Sequence, residues 1–81
     1  MIMDKNVKTW IKGFVAEQLP NERANIAACQ ADMITIRNTF AQYDSHDDRA
    51  AKCRKITRRA QDMQMHLGKV EMLESLKFIA I

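Results

Sequence analysis

Apolar side chains recur at spacings of three and four in two separate stretches of the chain. That spacing is the period of the packed face of a coiled-coil helix. The first stripe consists of Ile26, Cys29, Met33, Ile36, Phe40 and Tyr43, and the second consists of Cys53, Ile56, Ala60, Met63, Leu67 and Val70. The polar segment between them, residues 44–48, is too short to hold another element. The pattern therefore predicts two helices that fold back on each other as an antiparallel hairpin.

A shorter helix is predicted ahead of the hairpin, over about residues 4–18. This segment has one broad apolar face, and Asp4 is a suitable N-cap. Proline disfavours helical geometry at the residue before it and suits the first turn of a new helix. Leu19 and Pro20 therefore predict a break after this first helix.

The second helix is predicted over about residues 20–43 and the third over about 46–79. Ser45, followed by acidic residues, has the pattern of an N-cap for the third helix. The expected fold class is all-α: a three-helix chain built on an antiparallel helical hairpin with a coiled-coil-like seam. With 81 residues and 47% hydrophobic composition, residues 1–81 form a single helical domain near the lower size limit for folding alone.

The two cysteines indicate a reducing compartment. The predicted pairing places Cys29 opposite Leu67 and Cys53 opposite Tyr43, so the sulfur atoms lie about 21 Å apart and cannot form an intrachain disulfide. Buried free thiols are typical of a cytoplasmic protein. Residues 1–5 contain no apolar run of signal-peptide length, and no stretch is long enough to span a membrane.

A second apolar stripe lies on the face of the third helix opposite the seam. It consists of Met65, Met72, Leu76 and Ile79. On a monomer this stripe would be exposed, and exposed apolar patches usually mark an interface. The stripe therefore predicts a homodimeric bundle with these four residues at the oligomer interface. Trp10 and Phe14 are expected to form the core of the first helix against the hairpin.

The densest charge feature is a run of six cations in eleven positions with no acid among them. It consists of Arg49, Lys52, Arg54, Lys55, Arg58 and Arg59. The net charge of the chain is only +3, so the local cluster carries more information than the total. Three interpretations stay open: an acidic protein surface, the phosphates of RNA or DNA, or a solvated helix face. Stacking on nucleic-acid bases would favour an aromatic residue among the arginines, and none is present.

The chain has no motif that indicates catalysis or metal binding. The cysteines and histidines lack the close spacing of a zinc site, and Asp62 and His66, one turn apart, are typical of an exposed hydrogen bond. There is no glycine-rich phosphate loop. The sequence predicts no catalytic, cofactor or metal site, no small-molecule substrate and no membrane partner.

The resulting hypothesis is a small cytoplasmic homodimer that acts by stoichiometric binding. It would be an inhibitor, adaptor or regulator of a protein complex and would use its basic helix face. Direct binding of RNA or DNA through the same face is the alternative.

Overall fold

Two long antiparallel helices make up the fold in the computed structural model, which describes residues 4–80. Helix α1 spans Lys5–Asn38 and helix α2 spans His46–Ile79. The predicted all-helical hairpin is confirmed. Residues 1–3, which belong to the segment predicted to carry no signal peptide, and Ile81 lie outside the described part. None of the described helices is both long enough and apolar enough to cross a membrane.

Helix α1 continues through the position where the sequence predicts a break. Pro20 lies in its interior, is exposed, and cannot donate a hydrogen bond to the carbonyl of Ala16. The helix persists because its packed face continues on both sides of the proline: Val15 and Leu19 before it and Glu22 and Cys29 after it are buried. Burial of this face offsets the local cost of the proline, so two helices form where three are predicted.

Both helix N-termini have the caps that the sequence indicates. The Asp4 side chain accepts a hydrogen bond from the backbone N–H of Asn6 at 2.7 Å. At α2, the Ser45 hydroxyl accepts from the Asp48 N–H, and the Asp48 carboxylate accepts from the Ser45 N–H. This capping box starts the helix at the predicted place.

The connecting loop is longer than predicted, because α1 ends at Asn38 rather than near residue 43. Tyr43, predicted at the seam, lies in the loop and is 92% exposed. Asp44 organises this loop: its carboxylate accepts from the Ala41 N–H at 2.9 Å, and its own N–H donates to the Ala41 carbonyl. The turn thus satisfies its polar groups locally and ends the apolar stripe early.

The two helices pair about one turn away from the predicted register. Asp32 contacts Arg59 and Glu22 contacts His66, whereas the predicted pairing of Cys29 with Leu67 would place both partners further along α2. Cys53 and Leu67, predicted to face α1, are exposed, and Cys29 is buried as expected. The buried cluster instead lies toward the open end of the hairpin and consists of Ile11, Val15, Leu19, Leu73 and Ala80. Because α1 does not break at Pro20, its first half pairs with the end of α2, and that additional burial selects the register.

Candidate binding surfaces

The six predicted basic residues fall into two groups in the structure. Three of them contact groups within the chain, and three are exposed. Lys52 is the most involved: its Nζ lies 2.6 Å from the Thr39 carbonyl oxygen, 2.7 Å from Asp44 Oδ2 and 5.4 Å from the centre of the Phe40 ring. Arg49 donates to the loop carbonyls of Ala41 and Gln42 at 3.5 and 3.4 Å. Both cations therefore hold the loop against α2.

The Lys52 contact changes the acid–base behaviour of the loop. Its ammonium group donates to the Asp44 carboxylate, and the Ala41 N–H adds a second hydrogen bond. These two contacts hold the pKa of Asp44 below its ordinary value of 3.8. The carboxylate is thereby kept charged under neutral and mildly acidic conditions.

Arg59 links the two helices. Its guanidinium lies 3.2 Å from Asp32 Oδ2 on α1 and 3.4 Å from Asp62 Oδ2 on its own helix. Asp62 therefore pairs with Arg59, whereas its spacing in the sequence predicts a hydrogen bond with His66. All three side chains are well exposed, so this network contributes only modestly to stability.

The remaining cations, Arg54, Lys55 and Arg58, form what we call the basic triad. All three are exposed, and within residues 4–80 none of them makes an ion pair. Arg54 and Arg58 lie one turn apart on the same face of α2. Lys55 and Arg58 also border a shallow depression of about 410 Å³ beside Ile36. Of the six cations in the predicted run, this triad is therefore the part that is available to a partner.

The predicted oligomer interface is mostly exposed. Met65, Met72 and Ile79 are 53%, 59% and 57% exposed. Leu76 differs from them, because it is partly buried and packs against the core cluster. Three of the four predicted residues are thus placed on an accessible apolar face, and the fourth belongs to the hairpin itself.

Trp10 and Phe14 are not in the core, contrary to prediction. Their rings stack on each other with centroids 5.4 Å apart and an angle of 12°, and Trp10 is 67% exposed. They are exposed because α1 is continuous, so its first turns cannot fold across the hairpin. Phe14 and Met72 line the same depression between the helices, of about 240 Å³. We call Val7, Trp10 and Phe14 the aromatic patch, and it adjoins the exposed methionines.

A separate groove of about 340 Å³ lies on the other side of the open end. Val15, Leu19 and Pro20 give it an apolar floor, and Lys12 and Lys77 stand at its edge. Ala16 also lines it, and its carbonyl lacks the usual helical donor because Pro20 has no N–H. The groove is therefore apolar with a cationic rim.

Sequence reasoning missed a polar pair inside the helix interface. Glu22 and His66 contact each other there, with Lys69 3.9 Å from the second Glu22 oxygen. Glu22 is buried. The sequence does indicate that Glu22 lies on the packed face, because it falls between Leu19 and Ile26 at spacings of three and four.

The described residues contain no group of three or more histidine, cysteine or acidic side chains able to hold a metal ion. Cys29 and Cys53 are both free thiols, one buried and one exposed. Comparison of this chain with protein-family models, with curated proteins and with solved structures finds no match.

Proposed function

We propose that this chain is a non-enzymatic helical binding protein that acts stoichiometrically as an inhibitor, adaptor or regulator of a protein complex. The observation that carries the proposal is the basic triad of Arg54, Lys55 and Arg58, whose charges are exposed and unpaired within the described chain. Like charges one turn apart repel each other. An acidic protein surface laid across them removes that repulsion and adds charge-assisted hydrogen bonds.

The size of the triad favours an acidic protein surface over a nucleic acid. Only three of the six cations remain available, since Arg49, Lys52 and Arg59 are engaged inside the chain. Three phosphate contacts give a salt slope of about −2.7 on a log–log plot against duplex DNA, far from the steep dependence of dedicated DNA-binding proteins. Nucleic-acid binding through the same triad is the alternative that the test below distinguishes.

We propose a homodimer as the working form, in a reducing compartment such as the cytoplasm. The dimer is supported by the exposed aromatic and methionine side chains, which two helices alone do not cover. The compartment is supported by the exposed thiol of Cys53, which would form disulfides between chains under oxidising conditions.

A charge-reversal titration tests the binding proposal. The wild-type chain and the Arg54→Glu/Arg58→Glu variant are titrated with polyglutamate, generic duplex DNA and single-stranded RNA at about 50 and 200 mM salt. We expect binding to polyglutamate that the variant loses by at least about tenfold. A Lys5→Glu/Lys12→Glu variant changes the net charge equally at the other end of the hairpin and is expected to retain binding.

Two results would change this conclusion. Preferential binding to DNA or RNA that the triad variant abolishes would establish nucleic acid as the target. Equal loss in both charge-reversal variants would show that net charge, not the triad, causes the binding.

A further inference from the structure

The chain exposes more surface than a compact protein of its mass. Its accessible surface is 6430 Å², whereas a compact monomer of 9.4 kDa exposes about 5,000 Å². Its radius of gyration is 18.6 Å, against about 12 Å for a compact chain of this length. The excess surface is larger than the roughly 800 Å² that each partner buries in a standard protein interface. The hairpin therefore has enough uncovered surface for a stable dimer.

Helix α2 carries a second stripe that suits packing against another helix. Large side chains alternate with small ones at spacings of three and four: Met65, Gly68, Met72, Ser75 and Ile79. Every member is exposed. An alternation of large and small residues at this period lets the side chains of a second helix insert between them. We call these five residues the methionine stripe.

Gly68 has no role within the hairpin. A Cβ placed there would meet nothing within 4 Å, and its φ is not positive. Glycine is nevertheless a poor residue for a helix interior, because it loses the most backbone freedom on folding. Close approach of a second helix to the stripe gives this position a physical reason.

The charge distribution favours contact between the open ends of two copies. We define the open half as residues 4–22 and 62–80, which contain five lysines and six acidic residues. The turn half, residues 23–61, contains eight Lys and Arg but only four acidic residues. Two identical chains can therefore bring their nearly neutral open halves together, whereas their turn halves repel each other.

We infer that the occupant of the methionine stripe is a second copy of this chain. The two copies are related by a two-fold axis, and their open halves overlap so that the stripes and aromatic patches are buried together. Trp10 and Phe14 then serve as interface anchors. The two basic triads lie toward opposite ends of the resulting assembly. This inference specifies the surface of the proposed homodimer and depends on the proposed function only in that respect.

Sedimentation equilibrium of the full chain over about 1 to 100 µM tests the inference. We expect a species of twice 9.4 kDa that Met72→Asp converts to monomer. Gly68→Ala is expected to raise the dimer Kd at least about tenfold, because the added methyl group blocks close approach. Gln30→Ala is the control: Gln30 is exposed and lies in the turn half of α1, outside the proposed contact, so the dimer Kd is expected to stay unchanged.

Both alanine substitutions favour the helix, so a higher dimer Kd in Gly68→Ala cannot be attributed to loss of folding. Circular dichroism measures the helix content of each variant. Trp10 is the single tryptophan and gives an independent signal. Its emission is expected to shift to the red on dilution, as the dimer dissociates and the indole becomes exposed.

A chain that stays monomeric at about 100 µM would overturn the inference and leave another protein as the occupant of the stripe. A dimer whose Kd is unchanged in both Gly68→Ala and Met72→Asp would also overturn it, since the interface would lie elsewhere. Binding by the basic triad is measured with different variants, so its failure and the failure of this inference are distinguishable.

Discussion

Glu22 and His66 contact each other across the interface between α1 and α2, with Glu22 Oε2 2.5 Å from His66 Nδ1. Both side chains are mostly shielded from water, at 12% and 16% exposed. They form a polar layer between apolar ones, and Lys69 adds a cation at its edge. Such a layer disfavours slipped registers, because slipping would leave both groups facing apolar side chains.

Replacing either member of this pair by leucine is expected to destabilise the chain. The remaining polar group loses its partner in a nearly dry interface, at a cost of about 1–3 kcal/mol. Glu22→Leu/His66→Leu together is expected to cost much less than the sum of the single substitutions, since an apolar layer replaces the polar one. Urea unfolding of the four proteins measures the coupling. Additive single effects would show that the two side chains act independently.

The folded chain is expected to lose stability in acid as Asp44 in the loop becomes protonated. Because its pKa is lowered in the folded chain, the folded state favours the carboxylate. The stability that this provides is fully present above the ordinary pKa of 3.8 and is lost as the pH falls through the folded value. Thermal unfolding of Asp44→Asn is therefore expected to show a smaller loss of stability below about pH 4 than wild type.

Asp47→Asn is the control for this experiment, since it removes the same charge next to the same loop. It is expected to retain the acid sensitivity that Asp44→Asn loses. Direct NMR titration of Asp44 gives the second check, and a pKa at or above 3.8 would contradict the structural explanation.

Pro20→Ala is expected to stabilise the hairpin. Alanine restores the N–H that the Ala16 carbonyl lacks, and it is the better helix former by up to about 3 kcal/mol. Part of this gain is offset because proline also restricts the unfolded chain, so we expect a net gain of about 1–2 kcal/mol in urea unfolding. Asn21→Ala, at the exposed neighbouring position, is expected to change stability by less than about 0.5 kcal/mol. A destabilised Pro20→Ala variant would show that the proline has a packing role.

The basic residues are expected to divide into structural and free cations on mutation. Lys52→Ala removes contacts to the Thr39 carbonyl and Asp44, and is expected to cost about 1–2 kcal/mol. Arg54→Ala and Arg58→Ala are expected to change stability by less than about 0.5 kcal/mol, because neither side chain pairs within the described residues. Equal losses at all three positions would mean that the triad is part of the fold.

Aspartate substitutions are expected to separate the hairpin core from its outer stripe. Leu76 packs against the core cluster, so Leu76→Asp is expected to cost at least about 2 kcal/mol and to reduce helicity. Met72 is 59% exposed, so the corresponding change there leaves the hairpin contacts in place. Circular dichroism alongside sedimentation measures both effects. Equal loss of helicity in the two variants would show that folding requires the outer stripe.

Much of the architecture could be predicted from local features. The spacing of apolar residues determines that the chain forms helices with a packed face, and the Ser45 and Asp48 pair determines where α2 begins. These features act over three to four residues, which is the range at which neighbouring side chains on a helix interact. The basic run and the methionines are equally visible in the sequence.

Other features were decided only by contacts between the helices. Whether Pro20 ends a helix depends on the burial of Ile11 and Val15 against Leu73, more than fifty residues away along the chain. The same burial sets the register and leaves Trp10 exposed.

The sequence by itself thus determined the helical hairpin and the candidate residues for binding. Tertiary structure decided which of those residues remain free: Lys52 holds the loop, whereas Arg54 stays in solvent. The physical reason is that a repeating pattern specifies the faces of each helix, while the free energy of long-range burial selects how those faces are matched.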